Sequence, residues 1–432
     1  MFTKLLYFLR IPDLRKRALI VILLLVVFRI VANIPVPGIN EENLRGLLAA
    51  NQFLGFLNIF AGGALEMLSI GMLGVGPYIT ATIILQLLTI IFPHLKKIYY
   101  EEGSAGRTKF ERLGRYLTLP LAGLQSFGFL RYLSTPAPAG PGVLPAMDFG
   151  MILMNVLVIT TGSMIILWLG ELISEQKLGN GISLIIFAGI VSGLLPGAVR
   201  SWQNIQIGVL GVDTALIFMV LALLVIAGVV IINAAERKIP VSYAKRVRGN
   251  KMYGGVSTYL PLKVNQAGVI PIIFAIAVLL FPQFLGQIVS GFHLDFGTRI
   301  TEFFAAFTAN QLLYGLAYFV LVFIFTYFYT TIVFNPEEIS KNLQRSGGFI
   351  PGIRPGPPTT HYLSEIISRI TLFGAIFLGV IAILPIITGQ LAGAGAAGFA
   401  IGGTALLIVV AVAIETAKQI DSELKIREYE NI

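Results

Sequence analysis

The sequence predicts an all-α polytopic membrane protein with ten transmembrane helices. Its composition is the first reason: 56% of the 432 residues are hydrophobic, only 12% are charged, and the mean hydropathy is +0.83. These values lie far from the average composition of soluble domains. The second reason is that apolar runs of about 20 residues, long enough to cross a hydrocarbon core of about 30 Å, recur along the whole chain.

The predicted spans follow these apolar runs. They lie near residues 18–34, 71–92, 113–133, 151–173, 181–199, 208–233, 267–289, 308–334, 364–388 and 394–416. The first run lacks the small-residue cleavage pattern of a secretory signal peptide, so we interpret it as a retained span. The chain contains no cysteine, which rules out disulfides and thiol chemistry.

The lysine and arginine residues predict the orientation of the spans. All but five of the 31 lie in the N-terminus, in or beside every second loop after it, or in the C-terminal tail. The five exceptions are Arg29, Arg45, Arg131, Arg200 and Arg299. Because cytoplasmic loops carry the excess of Lys and Arg, both termini are predicted to be cytoplasmic. The net charge of +9 then lies almost wholly on the cytoplasmic face, where it suits anionic lipid, an acidic partner or RNA phosphates.

The predicted spans lack the residues that catalysis or proton coupling would need. No histidine lies within a span, and the charged residues of the spans lie mostly near their ends, which disfavours a proton relay. Neutral oxygens can still bind Na⁺, so a small-solute secondary transporter with inverted repeats remains the alternative. Metalloprotease and nucleotide-binding motifs are missing, so we predict no enzymatic activity, no cofactor and no metal. An intramembrane enzyme or an assembly factor is a further alternative.

The motif "GNGIS" places Ser183 just after two glycines, near the start of the fifth span. A nucleophilic serine needs a nearby base, and no histidine or lysine lies within any span to act as one. We therefore interpret the motif as a tight turn followed by a helix cap.

Ten spans divide into two halves of five, which we place at residues 1–200 and 201–432. Because five is odd, a second half built like the first would enter the membrane from the opposite side, as in the inverted repeats of many transporters. A short similarity between the sequences of the two halves supports this prediction. The second span of the first half opens with "GVGPYI" from Gly74, and its counterpart in the other half opens with "GVIPII" from Gly268.

Two long cytoplasmic loops indicate a docking surface. The loop 234–266 interleaves basic residues with tyrosines and β-branched residues, which predicts a short basic β-hairpin. The loop 335–363 contains three Gly/Pro turn pairs between Gly347 and Gly356, and these present Arg354 at the tip of the loop. A stiff turn of this kind is not needed for membrane orientation alone, so it favours docking of a partner.

Several long segments of the sequence resemble the SecY family, the central subunit of the bacterial protein-translocation channel. They are "GPYITATIILQLL", "WLGELISEQKLGNGISLIIFAGIV", "YAKR", "STYLPLKVNQAGVIPIIF", "IVFNPEEISKNLQRSGGFIPGIRPG" and "GGTALLIVV". They extend from the second span to the tenth, so the resemblance covers essentially the full chain.

The resemblance implies a passive protein-conducting channel. Such a channel passes unfolded secretory polypeptides across the bacterial cytoplasmic (inner) membrane and releases membrane segments sideways into lipid. The resemblance also explains the glycine-rich apolar segment before the second span. This segment would form a re-entrant plug near residues 56–69, and the true span would begin near Gly71. The residues expected in the plug are Ile59, Phe60, Gly62, Gly63 and Leu65. The residues expected in a pore ring are Ile79, Ile83, Ile186, Ile190, Ile273 and Ile408.

The resemblance further implies a lateral gate, in which spans 2 and 3 face spans 7 and 8 across a seam. Thr80, Gln125 and Phe281 are expected near this seam, and Phe281 stands where relatives in other kingdoms carry a polar residue.

The partners implied by the resemblance are macromolecular. Lys245, Arg246, Arg248 and Arg354 are expected to dock the translating ribosome, through its rRNA, and the motor ATPase SecA. The other expected partners are the small membrane subunits SecE and SecG, signal sequences, nascent polypeptides and membrane lipid.

Overall fold

A computed structural model of the protein describes residues 11–37, 64–65, 68–100, 102–134, 148–208, 211–243, 246–248, 251–253, 257–290, 295–392 and 403–430. These residues form thirteen helices and five short strands. The helices are α1 (Pro12–Val31), α2 (Gly76–Ile91), α3 (Pro93–Tyr100), α4 (Gly103–Ser134), α5 (Phe149–Glu175), α6 (Gly181–Gln206), α7 (Val212–Ala234), α8 (Ile270–Ser290), α9 (Asp295–Ala309), α10 (Gln311–Val333), α11 (Pro336–Arg345), α12 (Pro357–Ala392) and α13 (Gly403–Glu430). The strands are β1 (Glu236–Tyr243), β2 (Arg246–Arg248), β3 (Lys251–Tyr253), β4 (Ser257–Lys263) and β5 (Gly348–Phe349). The fold is therefore mostly helical, and the predicted all-α class is qualified by these strands.

Each predicted span overlaps one of the ten longest described helices, which are α1, α2, α4 to α8, α10, α12 and α13. By length and hydropathy, five described helical stretches could each cross a membrane alone: Phe149–Glu175, Gly181–Gln206, Val212–Ala234, Gln311–Arg345 and Pro357–Leu384. A sixth is added if α2 and α3 count as one span bent by 113°. Charged residues at their ends lower the mean hydropathy of α1 and α4.

The second span begins later than predicted. The sequence predicted a helix from near Gly71, but α2 begins at Gly76, and residues 70–75 form turns. Gly74 has a φ of +53°, in the left-handed region that glycine tolerates and that interrupts a right-handed helix. Pro77 then occupies the first turn of α2, where its missing N–H costs no hydrogen bond. The segment is as apolar as a span, but its backbone is irregular.

The motif "GNGIS" forms the predicted turn and helix cap. Asn180 is the N-cap of α6, and its side chain accepts hydrogen bonds from the backbone N–H groups of Ile182 and Ser183, at 3.1 and 3.2 Å. The cap satisfies two of the donors that every helix start leaves free. The prediction of a capped helix start is confirmed.

The predicted β-hairpin is also confirmed. Strands β1 and β4 pair antiparallel along seven residues, from Glu236 opposite Lys263 to Ser242 opposite Ser257. The short strands β2 and β3 form a second antiparallel pair inside this hairpin. Strand β5, from the other long loop, adds to the free edge of β1 and completes a three-stranded sheet in the order β4-β1-β5.

Two hydrophobic clusters organise the interior. The larger one runs through the helical bundle and takes residues from α1, α2, α4 to α8, α10, α12 and α13. The smaller one lies between the three-stranded sheet and the first turns of α12. The outer surfaces of the bundle remain apolar: on α7, Ile217 and Ile231 are 67% and 65% exposed. A helix that is apolar on all sides suits a membrane, where lipid covers the exposed face.

Candidate functional site

The six predicted ring isoleucines belong to the same hydrophobic cluster. Ile83, Ile186, Ile190 and Ile408 are buried within it, and Ile79 and Ile273 are partly buried and pack against it. They come from four helices, α2, α6, α8 and α13, that are far apart along the chain. The structure therefore brings branched aliphatic side chains from both halves of the sequence into one cluster.

The ring residues occupy equivalent positions on their helices. Ile79 and Ile273 are each the fourth residue of α2 and α8, and proline is the second residue of both helices. Ile186 and Ile408 are each the sixth residue of α6 and α13, which both begin at a glycine. The correspondence pairs the second and fifth predicted spans with the seventh and tenth.

The irregular segment before α2 is held by backbone hydrogen bonds to residues 34–36, which follow α1. Val36 N–H donates to the carbonyl of Leu68 at 2.9 Å, and Ile70 N–H donates to the carbonyl of Ile34 at 2.9 Å. Pro35 and Ser69 form the β-bridge between these two bonds. Irregular backbone at membrane depth is stable only where its polar groups find partners within the protein, and these bonds provide them.

The same segment lies directly against α5. A Cβ added at Gly162 would lie 2.6 Å from the carbonyl carbon of Ile70 and closer still to its oxygen. Glycine at position 162 is therefore what allows the two backbones to touch. Nearby, Gly71 approaches the side chain of Ile166 on the same helix, again too closely for a Cβ.

Most of the predicted plug lies outside the described residues. Ile59, Phe60, Gly62 and Gly63 all lie in this part of the chain. Leu65 is described and is 1% exposed within the large cluster.

Two of the three predicted gate residues contact each other. The side-chain amide of Gln125 on α4 donates to the hydroxyl of Thr80 on α2, at 3.5 Å. Helix α8 packs against both α2 and α4, so helices from the two halves of the sequence are in contact. Phe281 lies on α8 directly before Pro282, which interrupts the helical hydrogen bonding there. The contacts across the seam run through α8, the seventh predicted span.

A compact structure, here named the platform, joins the two long loops; it consists of the sheet β4-β1-β5, helix α11 and the start of α12. Its core contains Ile239 and Leu262 from the first loop, Ile350 from the second and Leu363 from α12. Strand β5 joins the loops directly, since it pairs Phe349 with β1. The two predicted docking loops are thus parts of one folded unit.

Arg354 lies on the exposed surface of the platform in a well-braced turn. Its carbonyl accepts a hydrogen bond from the Thr359 hydroxyl at 2.8 Å, while Ile353 packs against the platform core. The hydroxyl of Ser340 on α11 donates to the carbonyl of Gly356 at 2.9 Å. Gly356 has a φ of +104°, which only glycine adopts readily. The backbone that carries the guanidinium is fixed on both sides.

Two of the other basic residues predicted to dock partners lie at the far end of the hairpin. Arg246 and Arg248 are in β2, and Lys245 lies outside the described residues. Helix α11 of the platform carries the exposed ion pair Lys341–Glu337 at 2.6 Å. The hydrogen bond from Lys341 lowers the pKa of Glu337, so this carboxylate stays ionised at neutral pH.

One polar contact between helices was missed by the sequence reasoning. Arg115 on α4 and Glu171 on α5 form an ion pair at 2.9 Å, with both side chains about one third exposed. The sequence places each residue only near the end of a predicted span. Their opposite signs at the same predicted membrane face were the available signal, but only the packing of α4 against α5 shows that they meet. Among the described residues, no group of His, Asp and Glu could hold a metal ion.

Together, the apolar helices, the shared aliphatic cluster and the folded platform define a multi-pass helical membrane protein. The SecY family matches residues 69–417. The chain is 42% identical to "Protein translocase subunit SecY" of Streptomyces galbus, with 98% of this chain and 97% of the relative covered. It is 41% identical to the protein of the same name from Thermotoga maritima, over 98% of this chain and 95% of that one.

Solved structures show the same fold. The structure described as "The structure of a protein conducting channel" has a TM-score of 0.64 at 20% identity and covers 94% of this chain and 91% of that one. Sec61 in the canine ribosome-channel complex has a TM-score of 0.62 at 20% identity, with the same shares covered. At this identity the likeness concerns the fold alone.

The chain belongs to the SecY family. The predicted family is confirmed, and with it the expectation of a channel subunit that is not an enzyme.

Proposed function

We propose that this chain is the channel through which unfolded secretory polypeptides cross the bacterial cytoplasmic membrane, and from which membrane segments leave sideways into lipid. The observation that carries this proposal is that six isoleucines from α2, α6, α8 and α13 join one cluster inside the bundle. The relatives are protein translocase subunits, which supports a polypeptide as the transported substrate.

The isoleucines would form the constriction of the channel. Branched aliphatic tips can close a narrow, dry neck that excludes ions and can still deform around an extended chain. Ile79 and Ile83, like Ile186 and Ile190, are four residues apart and share a helix face. The energy for polypeptide transport would come from a partner, since the chain carries no nucleotide-binding motif.

The ten long helices would all be spans, arranged in two inverted halves at residues 1–200 and 201–432. The equivalent positions of the ring isoleucines on α2 and α8, and on α6 and α13, support a repeat. The distribution of Lys and Arg supports cytoplasmic termini and a cytoplasmic platform.

The segment near residues 56–69 would be a plug that closes the outer side of the constriction. The described residues at the C-terminal end of this segment support the role, because Leu65 and Leu68 are buried in the same cluster as the ring isoleucines. The hydrogen bonds to residues 34–36 would hold residues 68–70 in place while the remainder of the plug moves aside.

The lateral gate would open where α8 meets α2 and α4. A hydrophobic segment that leaves through this seam gains about 0.8 kcal/mol for each CH₂ transferred from water to lipid. The polar contact between Gln125 and Thr80 joins α4 to α2, the two helices that would line one side of this gate.

The platform would dock the translating ribosome and the motor ATPase SecA in turn, while SecE and SecG would assemble with the spans. Guanidinium groups suit both large partners, because their planar forks bind RNA phosphates or carboxylates through two hydrogen bonds. Arg354 is the sharper candidate because its turn is already rigid, so little conformational entropy is lost on docking.

The constriction can be tested by shortening ring side chains. Ile83→Ala and Ile190→Ala should each let ions leak from proteoliposomes loaded with a potassium-sensitive dye. Ile159→Ala is the matched control, since Ile159 is equally buried on α5 but outside the ring. All three changes should destabilise the fold by about 2–5 kcal/mol, so stability alone cannot produce a difference in leak. Equal leak in the ring and control variants would refute the assignment.

The gate can be tested with engineered disulfides, because the chain has no cysteine of its own. A disulfide between α2 and α8 should block insertion of membrane segments into lipid. A disulfide between α10 and α12, which pack together within one half, is the control and should leave insertion intact. Unimpaired insertion with the α2–α8 disulfide closed would defeat the gate proposal.

Docking can be tested by charge reversal. Arg354→Glu should cripple export driven by the motor ATPase while leaving assembly with the small subunits intact. Arg345→Glu, an exposed arginine at the end of α11, is the control for general loss of positive charge. Normal ATPase-driven export by Arg354→Glu membranes would show that the loop serves orientation only.

A further inference from the structure

A chain of polar contacts lies where the hairpin β1–β4 joins the helical bundle. Strand β1 follows α7 directly, and the pairing of the two strands continues to this point, where the backbone N–H of Val264 donates to the carbonyl of Ala235 at 3.0 Å. The next residue, Asn265, is only 7% exposed. Burying an amide is costly unless it is hydrogen-bonded, so the partners of Asn265 indicate what it does.

The side-chain amide of Asn265 donates in two directions. Its nitrogen donates to the side-chain oxygen of Asn233 at the end of α7 and to the backbone carbonyl of Gly268, each at 3.1 Å. Because a carbonyl can only accept, the contact with Gly268 identifies the amide nitrogen as the atom that makes these bonds. Gly268 lies two residues before α8, so Asn265 ties the end of α7 to the start of α8.

Lys418 on α13 extends the chain of contacts to a third helix. Its ammonium group donates to the backbone carbonyl of Asn233 at 3.4 Å and lies 3.7 Å from the carboxylate of Glu236 in β1. The carbonyl of Asn233 belongs to the last turn of α7, where carbonyls lack partners within the helix and attract positive charge. Asn233 is therefore the central residue, since its backbone binds α13 and its side chain binds Asn265.

These contacts connect the two helices that carry the ring isoleucines of the second half. Ile273 on α8 is five residues after Gly268, and Ile408 on α13 is ten residues before Lys418, about 15 Å along the helix. Among the described residues, α8 and α13 have little direct packing against each other. The hydrogen-bonded chain is thus a short physical link between them, at the end of the bundle that carries the platform.

We propose that Asn233, Asn265 and Lys418 are positioning residues for the constriction. By linking α8 to α13 at the platform end of the bundle, they keep Ile273 and Ile408 within the closed ring. Hydrogen bonds between helices can hold such an arrangement where the surroundings are apolar. The inference rests on the constriction proposed above, and none of the three residues belongs to the ring itself.

The direction of the hydrogen bonds provides a sharp test, because two substitutions of the same shape should differ. Asn233→Asp keeps an acceptor for the amide of Asn265, and its carboxylate lies on the residue that Lys418 contacts. Asn265→Asp instead replaces the donor of two bonds by an acceptor, and Asn265→Ala removes the donor altogether. In proteoliposomes loaded with a potassium-sensitive dye, at pH 8, both changes at Asn265 should raise ion leak several-fold, whereas Asn233→Asp should match the unaltered protein.

Two control variants separate loss of these contacts from general destabilisation. Asn310→Ala removes the amide that caps α10, a helix without a ring isoleucine, and should not leak even though it lowers the midpoint of thermal unfolding. Lys418→Met should leak, whereas Lys425→Met, which breaks only the ion pair to Asp421 on the same helix, should not. Equal leak in Asn310→Ala and Asn265→Ala would overturn the proposal.

Hydrogen exchange distinguishes a failure of this proposal from a failure of the constriction itself. In nanodiscs, Asn265→Ala should speed amide exchange at the start of α8 and around Lys418 on α13 in the same protein. If the ring variant Ile83→Ala leaks and Asn265→Ala does not, the positioning role is wrong. If neither leaks, the constriction is wrong, and exchange then decides whether the contacts position the two helices. Exchange that stays unchanged in either helix would overturn the link between them.

Discussion

The contact between Gly162 and the irregular segment before α2 leads to a prediction of a large effect from one methyl group. Carbon atoms in contact prefer a separation of roughly 3.5–4.0 Å. A Cβ at position 162 would lie 2.6 Å from the carbonyl carbon of Ile70, so one backbone must move by about 1 Å. Both partners are main chain, and no side chain can rotate away. Gly162→Ala should therefore cost about 1–3 kcal/mol, the usual penalty of overpacking, with the upper end expected here.

The displacement would act on the residues that connect the predicted plug to α2. We expect Gly162→Ala to lower the midpoint of thermal unfolding in detergent and to raise ion leak in proteoliposomes. The matched control is Gly193→Ala on α6, because an added Cβ there meets nothing within 4 Å. In a helix interior this control should be neutral or stabilising by about 0.5–1 kcal/mol. If the Gly162→Ala protein had the same unfolding midpoint and the same ion leak as the Gly193→Ala protein, the inferred close contact would be wrong.

Three further predictions concern single contacts. Arg115→Gln should cost at most about 1 kcal/mol, because the ion pair is partly exposed, and its effect on thermal unfolding should not add to that of Glu171→Gln; strict additivity would contradict the pairing. Asn180→Ala should cost about 1 kcal/mol through loss of the cap of α6, and Asn180→Ser should restore most of it; equal unfolding midpoints for all three proteins would contradict this. Gly348→Ala should loosen the platform, since the added Cβ would lie 3.0 Å from the ring of Tyr243, and should speed tryptic cleavage after the exposed Arg345 at the end of α11; an unchanged cleavage rate would show that the ring gives way freely.

Hydropathy predicted the positions of the ten helices because each long apolar run has to form its own backbone hydrogen bonds in lipid. It failed at residues 71–75, because hydropathy reports the environment of a segment and not its backbone conformation. These residues are as apolar as a helix, but Gly74 adopts a φ that ends one. Glycine spacing signalled the irregularity without fixing the residue at which α2 begins.

The contacts between distant segments could not be read from local patterns. The ring isoleucines are ordinary residues in an isoleucine-rich sequence, and only the family resemblance selected them. The pairing of β5 with β1 involves two residues of a short strand, too few for any periodicity to be visible. The Arg115–Glu171 pair depends on the rotation of two helices about their axes, which a sequence of uniformly apolar spans does not determine.

The pairing of β1 with β5 also bears on the order in which the molecule is made. Strand β1 is synthesised first, and helices α8 to α11 follow before β5 emerges to cover its free edge. Until then β1 and β4 form only a two-stranded ribbon, which is marginally stable by itself in water. The platform core also waits for Ile350 and for the start of α12. A chain still being inserted would therefore lack the rigid arginine turn, and only a molecule whose eighth span is in place would have the complete platform.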